Sequence, residues 1–157
     1  MSSITTTSPH TITPELPKQL LSYARAGALG IVITVGNDKY PTDAFAWVVA
    51  LDDKRVRFTV DHHSKTLGNL SRDGLAAIQI IGPDNLVFLI KGVCRSVKTN
   101  LESVPMDIGL WEMDVIGARD QSWPGAAPLP LAVQWSGDER ESMVKTEQAV
   151  FGEMREA

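Results

Sequence analysis

The sequence predicts a mainly β protein, six strands closed into an antiparallel barrel with helices at its flanks. Three observations lead there. Apolar runs of strand length recur from Leu29 to Ala118, turn-forming residues separate them, and several runs are apolar on both faces. Closing the sheet on itself lets such strands be buried without leaving an exposed edge.

The elements follow in order. Residues 1–13 are polar, contain Pro9 and show no periodicity, so they read as a flexible arm ahead of a single domain over 14–157. Leu16, Leu20, Leu21, Ala24 and Ala28 recur at helical spacing behind Pro14, which predicts a helix over about 14–26 stopped by Gly27 or Gly30. Leu29 to Val35 is a β-branched strand ended by the turn residues Gly36-Asn37-Asp38. Thr42 to Leu51 is the second strand. It places Phe45, Trp47, Val49 and Leu51 on one face and Ala44, Ala46, Val48 and Ala50 on the other, which predicts burial on both sides. Asp52-Asp53-Lys54 turns the chain into Arg55 to Val60, where Val56, Phe58 and Val60 alternate with Arg55, Arg57 and Thr59. Ser64 to Asp73 predicts a short helix with Ser64 at its N-cap, Leu67 and Leu70 turned inward, and Gly74 closing it. Leu75 to Ile81 and Leu86 to Val97 flank a Gly82-Pro83-Asp84-Asn85 turn, and Leu110 to Ala118 supplies the sixth strand. Three prolines make Ser122 to Pro130 an irregular loop, and Leu129 to Trp135 reads as an added edge strand. Gly137 to Ala157 is helical, with Met143, Val144, Val150, Phe151 and Met154 as its apolar stripe.

Composition narrows the function classes. A chain of 157 residues suits one domain with a real core, and its 43% hydrophobic and 22% charged content excludes wholesale disorder. A net charge of -4 argues against a nucleic-acid partner. The lone Cys94 forms neither an internal disulfide nor a multi-thiolate zinc site. Its place in the apolar run Val87 to Cys94 favours a packed strand residue over a reactive thiol, in a reducing compartment. The start lacks the basic and apolar parts of a secretion signal, and no run approaches the roughly 20 apolar residues of a membrane span. The expected location is the cytoplasm, with no membrane partner.

Chemistry concentrates between Arg57 and Leu70. A strand ends at Asp61, two histidines follow, and Ser64-Lys65-Thr66 opens a helix. A first helical turn offers unpaired N–H groups and the positive end of the dipole, so two hydroxyls and an ammonium there suit a phosphate. The plainer alternative is that Ser64 caps and Lys65 is solvated. His62 and His63 are adjacent on an extended segment and point to opposite sides, so they read as loop histidines rather than ligands of one metal ion, and no metal site is assigned. Trp47 reads as barrel packing ahead of a ring that stacks on a ligand. Trp111, Trp123 and Trp135 belong either to core and dimer interface or to a pocket wall. No nucleophile–base pair is present, so no catalytic residue is assigned.

The order of these pieces resembles the pyridoxamine-phosphate-oxidase-like family of FMN-binding split barrels. The pieces are Tyr40-Pro41-Thr42 running into the strand to Leu51, the Asp52-Asp53-Lys54-Arg55 hairpin, Phe58-Thr59-Val60-Asp61, Ser64-Lys65-Thr66 with Asn69-Leu70, and Ile90-Lys91-Gly92-Val93. The likeness covers about residues 25–98. It implies a six-stranded split barrel that binds FMN. By residue, it implies a phosphate site at Ser64, Lys65 and Thr66, a strand alongside the isoalloxazine at Ala44, Phe45, Ala46 and Trp47 (onward to Val49), and a flavin-contacting pair at Thr59 and Val60. It also implies a homodimer with flavin at the subunit interface. The sequence departs from the true oxidases, which carry a basic residue at each end of that strand, where this chain has Ala44 and Val49. Their substrate-phosphate arginines also have no clear counterpart. The resemblance therefore points away from vitamin B6 oxidation and towards an oxidoreductase or flavin reductase using NAD(P)H or another small reduced donor. The alternatives are a non-catalytic flavin-binding or electron-carrier module, and a barrel that holds haem or a deazaflavin.

Overall fold

Period-two patterning makes the strands, and pairing between distant strands closes them. The computed structural model describes residues 11–157. In chain order it contains β1 (Ile12–Thr13), α1 (Lys18–Arg25), β2 (Ala28–Val35), β3 (Pro41–Asp52), β4 (Arg55–Asp61), α2 (Lys65–Asp73), β5 (Leu75–Gly82), β6 (Leu86–Lys98), β7 (Ile108–Asp120) and α3 (Arg140–Glu156). The antiparallel sheet runs β7-β4-β3-β2-β5-β6, and β6 pairs back onto β7, so six strands form a closed barrel. β1 is an added seventh strand on the far end of β7. No helix among the described residues is long and apolar enough to cross a membrane.

The inward strand faces meet in one core. Val32, Val48, Phe58, Ile78, Ile80, Ile90 and Met113 are sealed there, and α1 adds Leu20 and Ala24. Burying each large aliphatic or aromatic side chain contributes about 1.5–3 kcal/mol relative to leaving it in water. The barrel bends where the β6–β7 register slips between Lys91 and Gly92. A Cβ at Gly92 would lie 2.1 Å from the Asp114 carbonyl oxygen, so only glycine fits this bulge.

A second core forms outside the barrel wall. α3 packs Val150, Phe151 and Met154 together with Val49 of β3, while Leu101, Val104 and Leu110 complete the cluster. Phe151 sits over Gly27, whose φ of +96° and lack of a Cβ make room for the ring. Arg57 of β4 ties this layer down. It pairs with Glu112 Oε1 at 3.0 Å and donates to the Met154 carbonyl at 2.8 Å and to the Ala157 carbonyl. Arg57 alternates with inward-facing residues as the sequence predicts, yet it is buried, because α3 lies over its face of β4.

Four local expectations need correction. α1 begins at Lys18 with Pro17 as its N-cap, rather than near Pro14, because the residue before a proline is driven out of the helical region. Leu16 instead donates its N–H to the Asp53 carbonyl at 2.8 Å. Ile12 and Thr13, at the end of the expected arm, pair with Arg119 and Ala118, while residues 1–10 of that arm lie outside the described residues. Leu129 to Trp135 is not a strand. Pro130 has no N–H to give, and the backbone bond from this segment to the sheet runs from Leu131 to Ile81 at 2.9 Å. α3 starts at Arg140, and its stripe is buried at Val150, Phe151 and Met154 but 44% exposed at Val144.

Candidate functional site

The barrel wall parts between β3 and β4. Their ladder runs from Asp52 opposite Arg55 to Val48 opposite Phe58 and stops. Beyond that point β3 stays with β2 through Trp47 opposite Leu29, and β4 stays with β7 through Thr59 opposite Leu110 and Asp61 opposite Ile108. The Trp47 N–H, which a continued ladder would pair with a carbonyl, donates instead to Thr59 Oγ1 at 3.1 Å. Main-chain groups alternate sides along a strand, so the Phe45 backbone faces the same opening. A side chain replaces a rung, and the strands diverge.

The divergence leaves a cleft of about 210 Å³ walled by Leu29, Phe45, Ala46, Trp47, Thr59, Asp61, Ile108 and Val133. Phe45 is 70% exposed at its rim. Trp47 is half-buried, and its indole N–H donates to Glu147 Oε2 of α3 at 2.9 Å. Thr59 is buried and accepts from Trp47, which leaves its own hydroxyl proton available to a ligand. Four of the candidates read from sequence, Phe45, Ala46, Trp47 and Thr59, therefore meet in one place. Ala44 and Val60 neighbour the cleft along their strands, but their side chains do not line it. Ala44 is half-buried opposite Val32, and Val60 is buried in the barrel core.

Asp61 leads from the cleft into the turn that carries the remaining candidates. Ser64 occupies the N-cap of α2 with an extended backbone, but its side chain does not cap the helix. The hydroxyl donates back to the Asp61 carbonyl at 2.7 Å, so the first-turn N–H groups receive nothing from it. Lys65 is exposed beside them, while Thr66 is buried with Asn69 and Leu70 on the inner face of α2. His62 and His63 take different partners. His62 donates its N–H to the Asp107 carbonyl at 3.0 Å, and its Nε2 lies 2.7 Å from the Thr99 carbonyl. A carbonyl only accepts, which makes Nε2 the protonated ring nitrogen. His63 donates its N–H to Asp61 Oδ1 at 2.8 Å, and its ring sits 3.8 Å from Asp107 on the surface.

A buried polar knot fixes α2 against the barrel. The Asn69 amide donates to Thr34 Oγ1 at 3.0 Å and Thr42 Oγ1 at 3.3 Å, and Arg72 donates to Asn69 Oδ1 at 3.1 Å. Arg72 also reaches Asn37 and the Val35 carbonyl, which ties the helix to the β2–β3 turn. Sequence reasoning did not single out Leu29, Asp61, Ile108 and Val133 as cleft walls, nor Glu147 as the partner of Trp47. Asp61 had a local signal, since it ends β4 just before the candidate phosphate segment. Glu147 stands 100 residues from Trp47 and had none.

Two other candidates are settled by burial. Burial, with the Asp114 charge adding to it, pushes the Cys94 thiol up to about 12, so this cysteine is packing and not a nucleophile. The late tryptophans do not share one wall. Trp111 is in the barrel core, Trp123 is 67% exposed, and Trp135 is half-buried.

The architecture has solved counterparts. An F420 reductase is 17% identical with a TM-score of 0.58, covering 68% of this chain and 100% of its own. A structure described as a putative pyridoxamine 5'-phosphate oxidase from Lactobacillus delbrueckii is 11% identical with a TM-score of 0.56, covering 68% and 94%. HupZ from Group A Streptococcus is 14% identical with a TM-score of 0.55, covering 72% and 98%. Neither a protein-family model nor a curated protein matches the sequence. At these identities the likeness establishes the fold.

Proposed function

We propose that this chain, a split barrel of the pyridoxamine 5'-phosphate oxidase-like kind, binds FMN in the cleft between β3 and β4 and works as a homodimeric oxidoreductase. The observation that carries the reading is the parting of β3 from β4, which exposes a strand edge and an aromatic wall one turn of chain from an uncapped helix start. The residues fit the cofactor. Lys65 and the first-turn N–H groups of α2 face the phosphate, and Ser64 joins them only by releasing its hydroxyl from the Asp61 carbonyl. Phe45, Ala46 and Trp47, with the backbone of Phe45 turned to the opening, run alongside the ring, Ala44 continues that strand, and Thr59, next to Val60, offers a hydroxyl proton. Thr66, being buried, contributes its backbone N–H rather than its side chain.

Bound FMN supplies hydride acceptance and donation, while the protein orients the ring and shields it from water. A cleft of about 210 Å³ is below the roughly 300–1,000 Å³ of ordinary ligand sites, so one chain covers only part of a flavin. The outer barrel wall carries a separate apolar surface for a second copy to cover, where Val35, Leu75, Val93 and Ile116 are each about half exposed. NAD(P)H or another small reduced donor is the electron source in this reading. The cytoplasm is the location, consistent with an unpaired, unreactive Cys94. A deazaflavin is the second occupant to test, because an F420 reductase is among the proteins that share the fold.

The test is the absorption spectrum of the purified protein followed by FMN titration, which separates flavin, deazaflavin and haem directly. Saturable binding of FMN that makes the protein competent to oxidise NADH or NADPH supports the enzyme. FMN binding without turnover leaves a carrier. No FMN binding by the dimer or the monomer refutes the reading.

A further inference from the structure

We infer that Glu147 is a positioning residue for the cleft, one that holds the Trp47 indole so that it presents ring surface rather than its N–H to a bound flavin. This rests on the FMN reading above. Residues 147, 150, 151 and 154 share one face of α3 by helical spacing, and the last three are the buried Val150, Phe151 and Met154. Glu147 is thus a carboxylate where the stripe calls for an apolar side chain, and its Oε2 takes the Trp47 indole N–H at 2.9 Å. The other N–H of Trp47, on its backbone, is taken by Thr59 Oγ1 at 3.1 Å. Both donors of this residue are engaged inside the chain, so it has no hydrogen to give a ligand.

A hydrogen bond to an ionised acceptor is about twice as strong as one between neutral groups, and here it pins a side chain with only two torsions. Glu147 does not itself line the cleft. It acts through Trp47, and so couples the docking of α3 to the shape of the flavin wall. Without it, a half-buried N–H is left unpaired, and the indole gains from turning towards any acceptor in the cleft, a flavin carbonyl included.

The test measures FMN affinity by fluorescence titration, together with tryptophan emission of the FMN-free protein, for Glu147→Ala, Glu147→Leu and Glu147→Gln, each with and without Trp47→Phe. Glu147→Leu suits the apolar stripe, so it keeps α3 docked while removing the acceptor. Glu147→Gln keeps an acceptor oxygen. We expect FMN affinity to fall about fivefold in the Ala and Leu variants, the effect of one net hydrogen bond, and to stay within about twofold in the Gln variant. In the Trp47→Phe background the Ala and Leu changes should have no further effect. An equal loss in both backgrounds would show that Glu147 merely supports the helix, and wild-type affinity in the Leu variant would also overturn the inference. Should the wild-type protein bind no FMN, the functional reading fails on its own. The positioning claim then stands or falls on whether removing the acceptor changes the Trp47 part of the emission.

Discussion

Replacing Glu153 by glutamine should cost the protein about 2–3 kcal/mol at neutral pH, and the cost should fade in acid. Glu153 on α3 is the anchor for the segment between β6 and β7. Its Oε1 accepts from the Ser103 N–H at 2.8 Å and the Ser103 hydroxyl at 2.6 Å. Its Oε2 accepts from the Glu102 N–H and from Lys98 Nζ, each at 2.9 Å. The side chain is 14% exposed. Partial burial pushes its pKa up, but the hydrogen bonds from Ser103, Glu102 and Lys98 outweigh that and bring it from 4.5 down to about 2. Because the folded value is depressed, the stabilisation is fully present above about pH 4.5 and is lost as pH falls through about 2. At about 1.36 kcal/mol per unit, the whole contribution is about 3 kcal/mol. An amide keeps one acceptor but turns N–H groups towards an ammonium and backbone donors, so Glu153→Gln forfeits most of it. Urea unfolding of both proteins between pH 7 and pH 3 makes the comparison. The gap between them should narrow to less than half by pH 3, because the carboxyl is then largely protonated in the unfolded chain while still mostly ionised in the folded one. A gap that stays constant over this range, or a variant as stable as wild type at pH 7, refutes the account.

Three further outcomes are expected. Lys65→Ala should weaken FMN binding by about 1–3 kcal/mol and leave riboflavin binding unchanged, because the lost contact is to phosphate; fluorescence titration with both ligands decides it. Sedimentation at micromolar concentration should give twice the chain mass, and Leu75→Lys, placing a charge on the apolar outer wall, should shift it towards one chain; a monomeric wild type would remove the dimer proposal. The FMN-loaded protein should show negligible pyridoxamine-phosphate oxidase activity, since Ala44 is half-buried and Val49 lies wholly under α3, and neither carries a charge to hold a substrate phosphate; robust pyridoxal phosphate formation would show a basic group delivered by the partner subunit.

What the sequence by itself determined is local and periodic. Six strands follow from apolar alternation between Leu29 and Ala118, and the β4–α2 turn follows from Asp61 through Ser64 with Gly74 closing the helix, because side-chain period and turn chemistry act between residues a few positions apart. The same locality misled at Pro14 and at Leu129 to Trp135, where a plausible pattern lay next to prolines that forbid the geometry. Only the tertiary structure decided that β3 and β4 part at Val48, since that depends on which neighbour wins each edge: β2 keeps Trp47, β7 keeps Thr59, and one threonine hydroxyl stands in for the missing rung. It also decided that Arg57 is buried, that Thr66 turns inward, and that Glu147 meets Trp47 from 100 residues away. Such contacts form between surfaces that exist only after the barrel has closed and α3 has docked, so no short stretch of sequence carries them.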